Sequence, residues 1–277
     1  MRFAVKILFT IIFLLILGGS IGTTAFAAPK AELWPRWQVN DAQSSTRIDH
    51  SAWVQFLDKY LIINKSGAAN LVRYAAVSSA DKASLAQYLA ELSAVSMTKL
   101  NRAEQKAVWI NLYNALTVYM ILDHDPVKSI RDIRSGWFSS GPWDLKLIKV
   151  EGIELSLNDI EHRILRPIWQ DNRVHYAVNC ASLGCPNLQT EPFTADNVDR
   201  LLDKAARDYV NSPRGVDLTG GELTLSSIYD WFQADFGGAD ATVLAHLEKF
   251  AAPALAAKLK RYRGTISYQY SWDLNKG

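Results

Sequence analysis

The stretch EQKAVWINLYNALTVYMIL (residues 104–122) decides the fold. Its composition suits a helix, and from Ala107 onward the sequence is apolar almost all round. A helix that is apolar on every side is normally buried in the centre of a domain. We therefore expect one long central helix, around which the rest of the chain packs.

Two asparagines interrupt the apolar surface of this helix. Asn111 and Asn114 are three residues apart and therefore share one face. Buried amides are costly unless they are hydrogen-bonded, so these two either tie down a neighbouring loop or line a polar pocket that orients a ligand or an oxyanion. We expect both to be buried, with at least one bonded to the backbone of residues 179–187. Tyr113 faces another side of the helix and is expected in the core.

The remaining patterns are helical or hairpin-like. Apolar residues at helical spacing predict helices in residues 49–61, 83–95, 157–169, 197–210 and 226–236. Strand patterns predict a hairpin around Glu151-Gly152, a second hairpin around Gly220-Gly221, and single strands in residues 173–178 and 265–274. The predicted fold class is α+β: a helix-rich single domain, residues 28–277, around a buried central helix with a small, largely antiparallel sheet.

The chain's two cysteines lie in the stretch HYAVNCASLGCPNL (residues 175–188). They form a disulfide, or one of them is a nucleophile. His175 begins the predicted strand that leads to Cys180, and residues i and i+5 of an unbroken strand face opposite sides. A direct pair of Cys180 and His175 therefore requires the chain to turn near Asn179. The other histidines are His50, His124, His162 and His246, whose ordinary role is a surface or core side chain.

Glu161 is a further candidate, on the helix predicted for residues 157–169. It either pairs with Arg163 or Arg166 or orients a histidine, and the surface ion pair is the more common arrangement. No metal or other cofactor is indicated, because two cysteines at this spacing, without paired histidines, do not match the usual zinc layouts.

The N-terminus, MRFAVKILFTIIFLLILGGSIGTTAFA (residues 1–27), has the layout of a secretory signal peptide. Two basic residues precede an apolar run of eleven residues, too few to span a bilayer, and the final AFA supplies a cleavage site. We expect cleavage before Ala28 and a periplasmic or secreted protein; an uncleaved anchor is the alternative. No second membrane span follows in the sequence.

The net charge and the expected compartment bear on which partners and which cysteine chemistry the protein can have. Removing residues 1–27 takes away two basic residues and no acid, so the formal charge falls from +2 to 0. A neutral chain gives no reason to expect nucleic acid as a partner. An exported protein with two cysteines sits in an oxidising compartment, where a disulfide between Cys180 and Cys185 is the default expectation.

The combination of WINLYN (residues 109–114) with HYAVNCASLGCP (residues 175–186) resembles domain-of-unknown-function family 547. Further motifs occur in the family's order, so that the resemblance covers residues 48–275: DHSAW, LSLNDIEHRILRP, LTLSSIYDWFQADFG and YSWDLN. The resemblance implies an exported bacterial protein without a settled activity. The family pattern marks eight positions as a site: His50, Asn111, Tyr113, Asn114, Glu161, His175, Cys180 and Cys185.

Two hypotheses from different classes follow, and whether the protein is an enzyme stays open. In the first, it is a ligand- or peptide-binding or sensory protein of the envelope. Its pocket surrounds the disulfide loop, with these binding residues: Asn111, Asn114, His175 and Cys185. The partner is then a small molecule or a peptide.

In the second hypothesis, the protein is a papain- or transglutaminase-like thiol hydrolase or transferase acting on a peptide or amide. Cys180 is the nucleophile, His175 or His50 the base, and Glu161 or an asparagine the orienting group. A redox role is less favoured, because the spacing is not C-x-x-C.

Overall fold

The computed structural model describes residues 28–64, 67–134, 136 and 141–277. The signal peptide predicted for residues 1–27 lies outside these ranges. Within them, no helix combines the length and the apolar character needed to cross a membrane.

Helices dominate the described part of the chain. The α-helices are α1 (Ser51–Tyr60), α2 (Ser79–Ser93), α3 (Arg102–His124), α4 (Arg166–Trp169), α5 (Val198–Val210), α6 (Ile228–Trp231), α7 (Asp240–Phe250) and α8 (Pro253–Arg261). A π-helix, Asp159–Leu165, runs directly into α4. Short 3-10 helices lie at Pro35–Gln38, Tyr74–Ala76, Met97–Lys99, Ile130–Asp132, Asn172–Tyr176 and Gln233–Phe236.

The strands are short and form three small sheets among the described residues. They are β1 (Leu61–Ile62), β2 (Leu71–Val72), β3 (Ile148–Val150), β4 (Ile153–Leu155), β5 (Val216–Asp217), β6 (Leu223–Ser226) and β7 (Ile266–Gln269). The pairs β1–β2, β3–β4 and β5–β6 are antiparallel, whereas β7 joins β6 in parallel. The predicted class, helix-rich α+β with largely antiparallel strands, is confirmed.

The long helix α3 is the centre of the structure, as predicted. Its N-terminus is capped by Asn101, whose side chain accepts from the backbone N–H of Glu104. From Glu104 to Ile121 every residue except Tyr119 is buried. α2, α5 and the π-helix pack against it. A second apolar cluster forms between α5, the sheet of β5–β7 and α6–α8, and α5 contributes to both clusters.

The strand predicted for residues 173–178 is wrong: the 3-10 helix Asn172–Tyr176 lies there. Its cap is Asp171, whose carboxylate accepts from the backbone N–H of Arg173 and also pairs with the Arg173 guanidinium. Residues 174–178 are all buried, and a short buried run looks the same in a strand and in a helical turn. His175 therefore lies on a helical turn rather than at the start of a strand.

Other differences concern helices. The helix predicted for residues 157–169 begins with a reciprocal cap, in which the backbone N–H groups of Ser156 and Asp159 each donate to the other residue's side chain. The helix that follows is a π-helix, which a periodicity of 3.6 residues does not predict. α7 and α8 were not predicted, and the strand predicted for residues 265–274 is regular only over Ile266–Gln269.

Candidate functional site

A cavity of about 360 Å³ lies between the π-helix, the cysteine loop, α6 and the segment after β7. Its polar and sulfur-containing lining comprises Tyr113, Arg131, Asp144, Asn158, Glu161, His162, His175, Cys180, Cys185 and Tyr270. Its apolar lining includes Val178, Ile228, Trp143, Trp231, Phe232 and Trp272. The structure thus brings five of the eight predicted site positions to one cavity: Tyr113, Glu161, His175, Cys180 and Cys185.

Cys180 and Cys185 are joined by a disulfide, as expected for an oxidising compartment. The loop that carries them is shaped by Asn179, whose Oδ1 accepts from the N–H of Ala181 at 2.8 Å and whose Nδ2 donates to the carbonyl of Pro186 at 2.7 Å. Ala181 has a left-handed φ of 59°, which makes the tight turn after Cys180. The disulfide therefore closes a loop that is already fixed by an internal side chain.

The prediction for Asn111 and Asn114 is confirmed: both are buried, and Asn114 bonds to the cysteine loop. Asn114 Oδ1 accepts from the N–H of Asn179 at 2.8 Å, and its Nδ2 donates to the carbonyl of Ala177 at 2.9 Å. Asn111 binds both backbone groups of Phe193 in the same way, at 3.0 and 2.7 Å. The two amides hold segments against α3, and neither lines the cavity.

His50 lies apart from the cavity. Its Nδ1 is 2.7 Å from the hydroxyl of Tyr88, and its Nε2 is 3.2 Å from Nδ2 of Asn111. Since the Asn111 amide can only donate there, Nε2 is an acceptor and the ring is neutral. Burial lowers the pKa of His50 to about 4, against a smaller opposing effect of Asp49. Of the two bases considered, the structure places His175, and not His50, beside Cys180's cavity.

His175 is held by a carboxylate that sequence reasoning did not select. Its Nε2 lies 2.7 Å from Oδ2 of Asp235, and its ring stacks on Phe232 at 4.2 Å between centroids. Burial opposes ionisation of Asp235, but hydrogen bonds from His175 and Arg166 outweigh it and lower the pKa of this carboxyl well below its usual value. Because Asp235 is ionised, Nε2 of His175 carries the proton and Nδ1 faces Glu161.

Glu161 corrects a second expectation, since it makes no surface ion pair. It is buried, its Oε1 lies 3.9 Å from Nδ1 of both His162 and His175, and it adds to burial in raising the pKa of Tyr113. The two arginines are engaged elsewhere: Arg163 with Asp159, and Arg166 with Asp235. Tyr113 is buried, as expected for a core residue, but it also lines the cavity beside this carboxylate.

His162 is a further cavity residue that the sequence did not single out. Its Nδ1 lies 2.9 Å from Nη1 of Arg166, so this nitrogen is an acceptor. Burial lowers the pKa of His162; Glu161 opposes that effect, and Arg166 adds to it. The π-helix carries both Glu161 and His162 to the cavity, which agrees with the frequent occurrence of π-turns at functional sites.

The cavity thus has a polar end, formed by Glu161, His162 and His175. It also has an aromatic wall, which consists of four contacting side chains: Trp143, Trp231, Tyr270 and Trp272. Trp231 stacks on Trp272 at 5.5 Å and contacts Tyr270 at 4.8 Å, and Trp143 meets Trp272 edge-on at 5.6 Å. The guanidinium of Arg131 lies 5.3 Å from the Trp272 ring. In the strand predicted for residues 265–274, Tyr270 and Trp272 would share one face, but their contacts with Trp231 and Trp143 depend on tertiary packing. Among the described residues, no group of three or more His, Cys, Asp or Glu side chains could hold a metal ion.

Part of the chain matches a known protein family. Residues 97–210 match the family described as "Protein of unknown function, DUF547". The chain therefore contains a DUF547 segment. No curated protein and no solved structure is significantly similar to the chain.

The DUF547 match runs from the 3-10 helix before α3 to the end of α5, and it contains Glu161, His175 and both cysteines. Other lining residues, such as Tyr113, Trp143 and His162, also lie within the match, whereas the following lie outside it: Ala28, Pro29, Ile228, Trp231, Phe232, Tyr270 and Trp272. Asp235, which holds His175, comes from the 3-10 helix after α6, and three of the wall's aromatic rings come from residues 231–272. The site is therefore assembled from the DUF547 segment and the C-terminal part of the chain.

Proposed function

We propose that this protein binds a small molecule or a short peptide in the cell envelope, in the cavity beside the Cys180–Cys185 disulfide, and that the ligand carries an amine. The observation that carries the proposal is the environment of Glu161. This buried carboxylate lines the same cavity as the aromatic wall, and in the described part of the chain it has no lysine or arginine partner. A buried carboxylate without a cation is costly, and a ligand ammonium would compensate it.

The charges of the lining support a cationic ligand. Among the described residues that line the cavity, Arg131 is basic, whereas Asp144 and Glu161 are acidic, so the arginine and carboxyl side chains of the lining together carry a net negative charge. The faces of tryptophan and tyrosine rings also attract cations. An ammonium group could therefore be held between Glu161 and the wall, with the ligand's apolar part on the rings.

A contact within the chain itself supports a peptide as the ligand. Ala28 and Pro29 line the cavity, and Nη1 of Arg166 donates to the carbonyl of Pro29 at 2.7 Å. A peptide carbonyl thus already has a donor at the cavity's margin. A peptide ligand would present its amino terminus to Glu161 and its carbonyls to donors of this kind.

The test is a titration with a mixture of short peptides that have free amino termini. Tryptophan fluorescence reports binding, since three tryptophans line the cavity. We expect saturable binding by the wild type and a loss of about tenfold or more in affinity for Glu161→Gln, the equivalent of one charge-assisted hydrogen bond. The exposed Glu154→Gln is the matched control and should bind as the wild type does.

The same peptide mixture after N-acetylation separates the amine from the rest of the ligand. We expect it to bind wild-type protein about as weakly as the free peptides bind Glu161→Gln. Equal binding of free and acetylated peptides by the wild type would contradict the proposed role of Glu161. Absence of any fluorescence change would contradict the peptide ligand itself.

A second candidate function is a thiol hydrolase or transferase. One observation favours it: Cys180, His175 and Glu161 line the same cavity, with Asp235 fixing the tautomer of His175. The disulfide occupies the sulfur that would attack, so this chemistry requires reduction to a free thiolate. Hydrolysis of the peptide mixture that appears only with a reductant, and is absent in Cys180→Ser, would establish the enzyme.

A further inference from the structure

The two sulfurs of the disulfide have unequal surroundings. Both residues line the cavity, but Cys180 is half-buried, whereas Cys185 is only 3% exposed. A thiol that enters the cavity therefore reaches the sulfur of Cys180 more easily.

Hydrogen-bond donors favour negative charge on the other sulfur. The backbone N–H of Cys180 donates to Cys185 Sγ at 2.9 Å, and the hydroxyls of Tyr270 and Ser182 lie 3.1 and 3.4 Å from it. Cys180 Sγ has the two hydroxyls as neighbours, at 3.1 and 3.4 Å, but it has no backbone donor. Because charged acceptors form the stronger hydrogen bonds, a thiolate is better stabilised at Cys185.

A fixed positive charge adds to this preference. Nη1 of Arg214 donates to the carbonyls of Cys185 and Leu183, and Nη2 donates to Oδ1 of Asn187 at 3.0 Å. These acceptors are neutral, and within the described ranges Arg214 forms no ion pair with a carboxylate. Its guanidinium charge at the Cys185 end of the loop therefore favours a thiolate there.

We propose that the disulfide is a thiol-exchange site, at which a low-molecular-mass thiol becomes attached to Cys180. The incoming thiol loses its proton to solvent, and its thiolate attacks Cys180 Sγ. The bond between the thiol sulfur and Cys180 forms as the Cys180–Cys185 bond breaks, and the electron pair leaves with Cys185 as a thiolate. One disulfide replaces another, so the step needs no further oxidant or reductant. Exchange of this kind is faster when the leaving thiolate is stabilised.

The experiment uses the wild-type mature protein and N-acetylcysteine, which has no amine, so the result is independent of the proposed ligand. Native protein is incubated with the thiol, free thiols are trapped with iodoacetamide, and the cysteine peptides are identified by mass spectrometry. We expect N-acetylcysteine on Cys180 and the iodoacetamide label on Cys185, about tenfold or more in excess of the reverse pattern. The Tyr270→Phe variant, which lacks one donor to the leaving sulfur, should exchange about tenfold more slowly.

Tyr119→Phe is the matched control, because Tyr119 does not line the cavity, and it should exchange at the wild-type rate. Far-ultraviolet circular dichroism verifies that each variant is folded, and the wild-type labelling pattern requires no variant at all. Attachment to Cys185, equal attachment to both cysteines, or reaction only after denaturation would overturn the proposal.

Discussion

Replacing Asn114 with alanine is expected to lower the free energy of unfolding by about 3–5 kcal/mol. The change removes one side chain but leaves two buried backbone groups without partners, the N–H of Asn179 and the carbonyl of Ala177. Each unsatisfied buried group costs about 1–3 kcal/mol, and the lost side-chain volume adds a small cavity. Urea denaturation at pH 7, followed by tryptophan fluorescence, measures the effect.

Asn40→Ala is the control for this measurement. Asn40 is half-buried, and its side chain makes one long hydrogen bond, 3.4 Å, to the carbonyl of Gln38. Its replacement should change stability by no more than about 0.5 kcal/mol. A cost below about 1 kcal/mol for Asn114→Ala would show that Asn114 does not hold the cysteine loop against α3.

Lowering the pH from 8 to 5 is expected to destabilise the protein through buried histidines with lowered pKa values; besides His162, His50 and His246 together contribute about 4 kcal/mol. Burial lowers the pKa of His50 to about 4 and that of His246 to about 4. The unfolded chain takes up these protons near the ordinary histidine pKa of 6.5, whereas the folded chain does not. Stability is therefore lost as the pH falls below 6.5 and levels off for these groups below about 4.

The choice of pH range separates these histidines from the buried carboxylates. Asp171 and Asp235 also have lowered pKa values, but their contribution is lost only when the unfolded carboxyls become protonated, below the range used. The measurement is urea unfolding at pH 8, 6.5 and 5. His50→Gln should reduce the loss of stability by about 2 kcal/mol, whereas the exposed His124→Gln should leave it unchanged. A stability that rises toward pH 5 would contradict the neutral state of both rings.

The central helix and its two asparagines were predictable because their signals are local. Sixteen consecutive residues from Ala107 to Leu122, apolar almost all round, specify a buried helix, and amides in such a helix must find hydrogen-bond partners. The cysteine loop followed in part from the turn-forming residues around Cys180. The backbone of residues 179–187 was predicted as a partner of at least one asparagine, and Asn114 bonds to Asn179. Which of the two asparagines would make this bond was not predictable from the sequence.

The polar end of the cavity was less predictable, for physical reasons. His175 and Asp235 are 60 residues apart in sequence, and no periodicity connects them. Glu161 was expected in a surface ion pair because two arginines follow it, but the π-helix and the contact with Asp235 redirect Arg166. The aromatic wall likewise depends on the packing of α6 against the segment after β7.

The central claim is that the cavity works with a closed disulfide in its wall, and a thiol titration tests it most directly. The protein is isolated from the cell envelope without reductant and treated with a thiol reagent, both native and denatured. The account predicts no free thiol in either condition, because Cys180 and Cys185 are joined. One or two reactive thiols in native protein that carries no small thiol on Cys180 would contradict it and would favour the thiol enzyme, with Cys180 as its nucleophile.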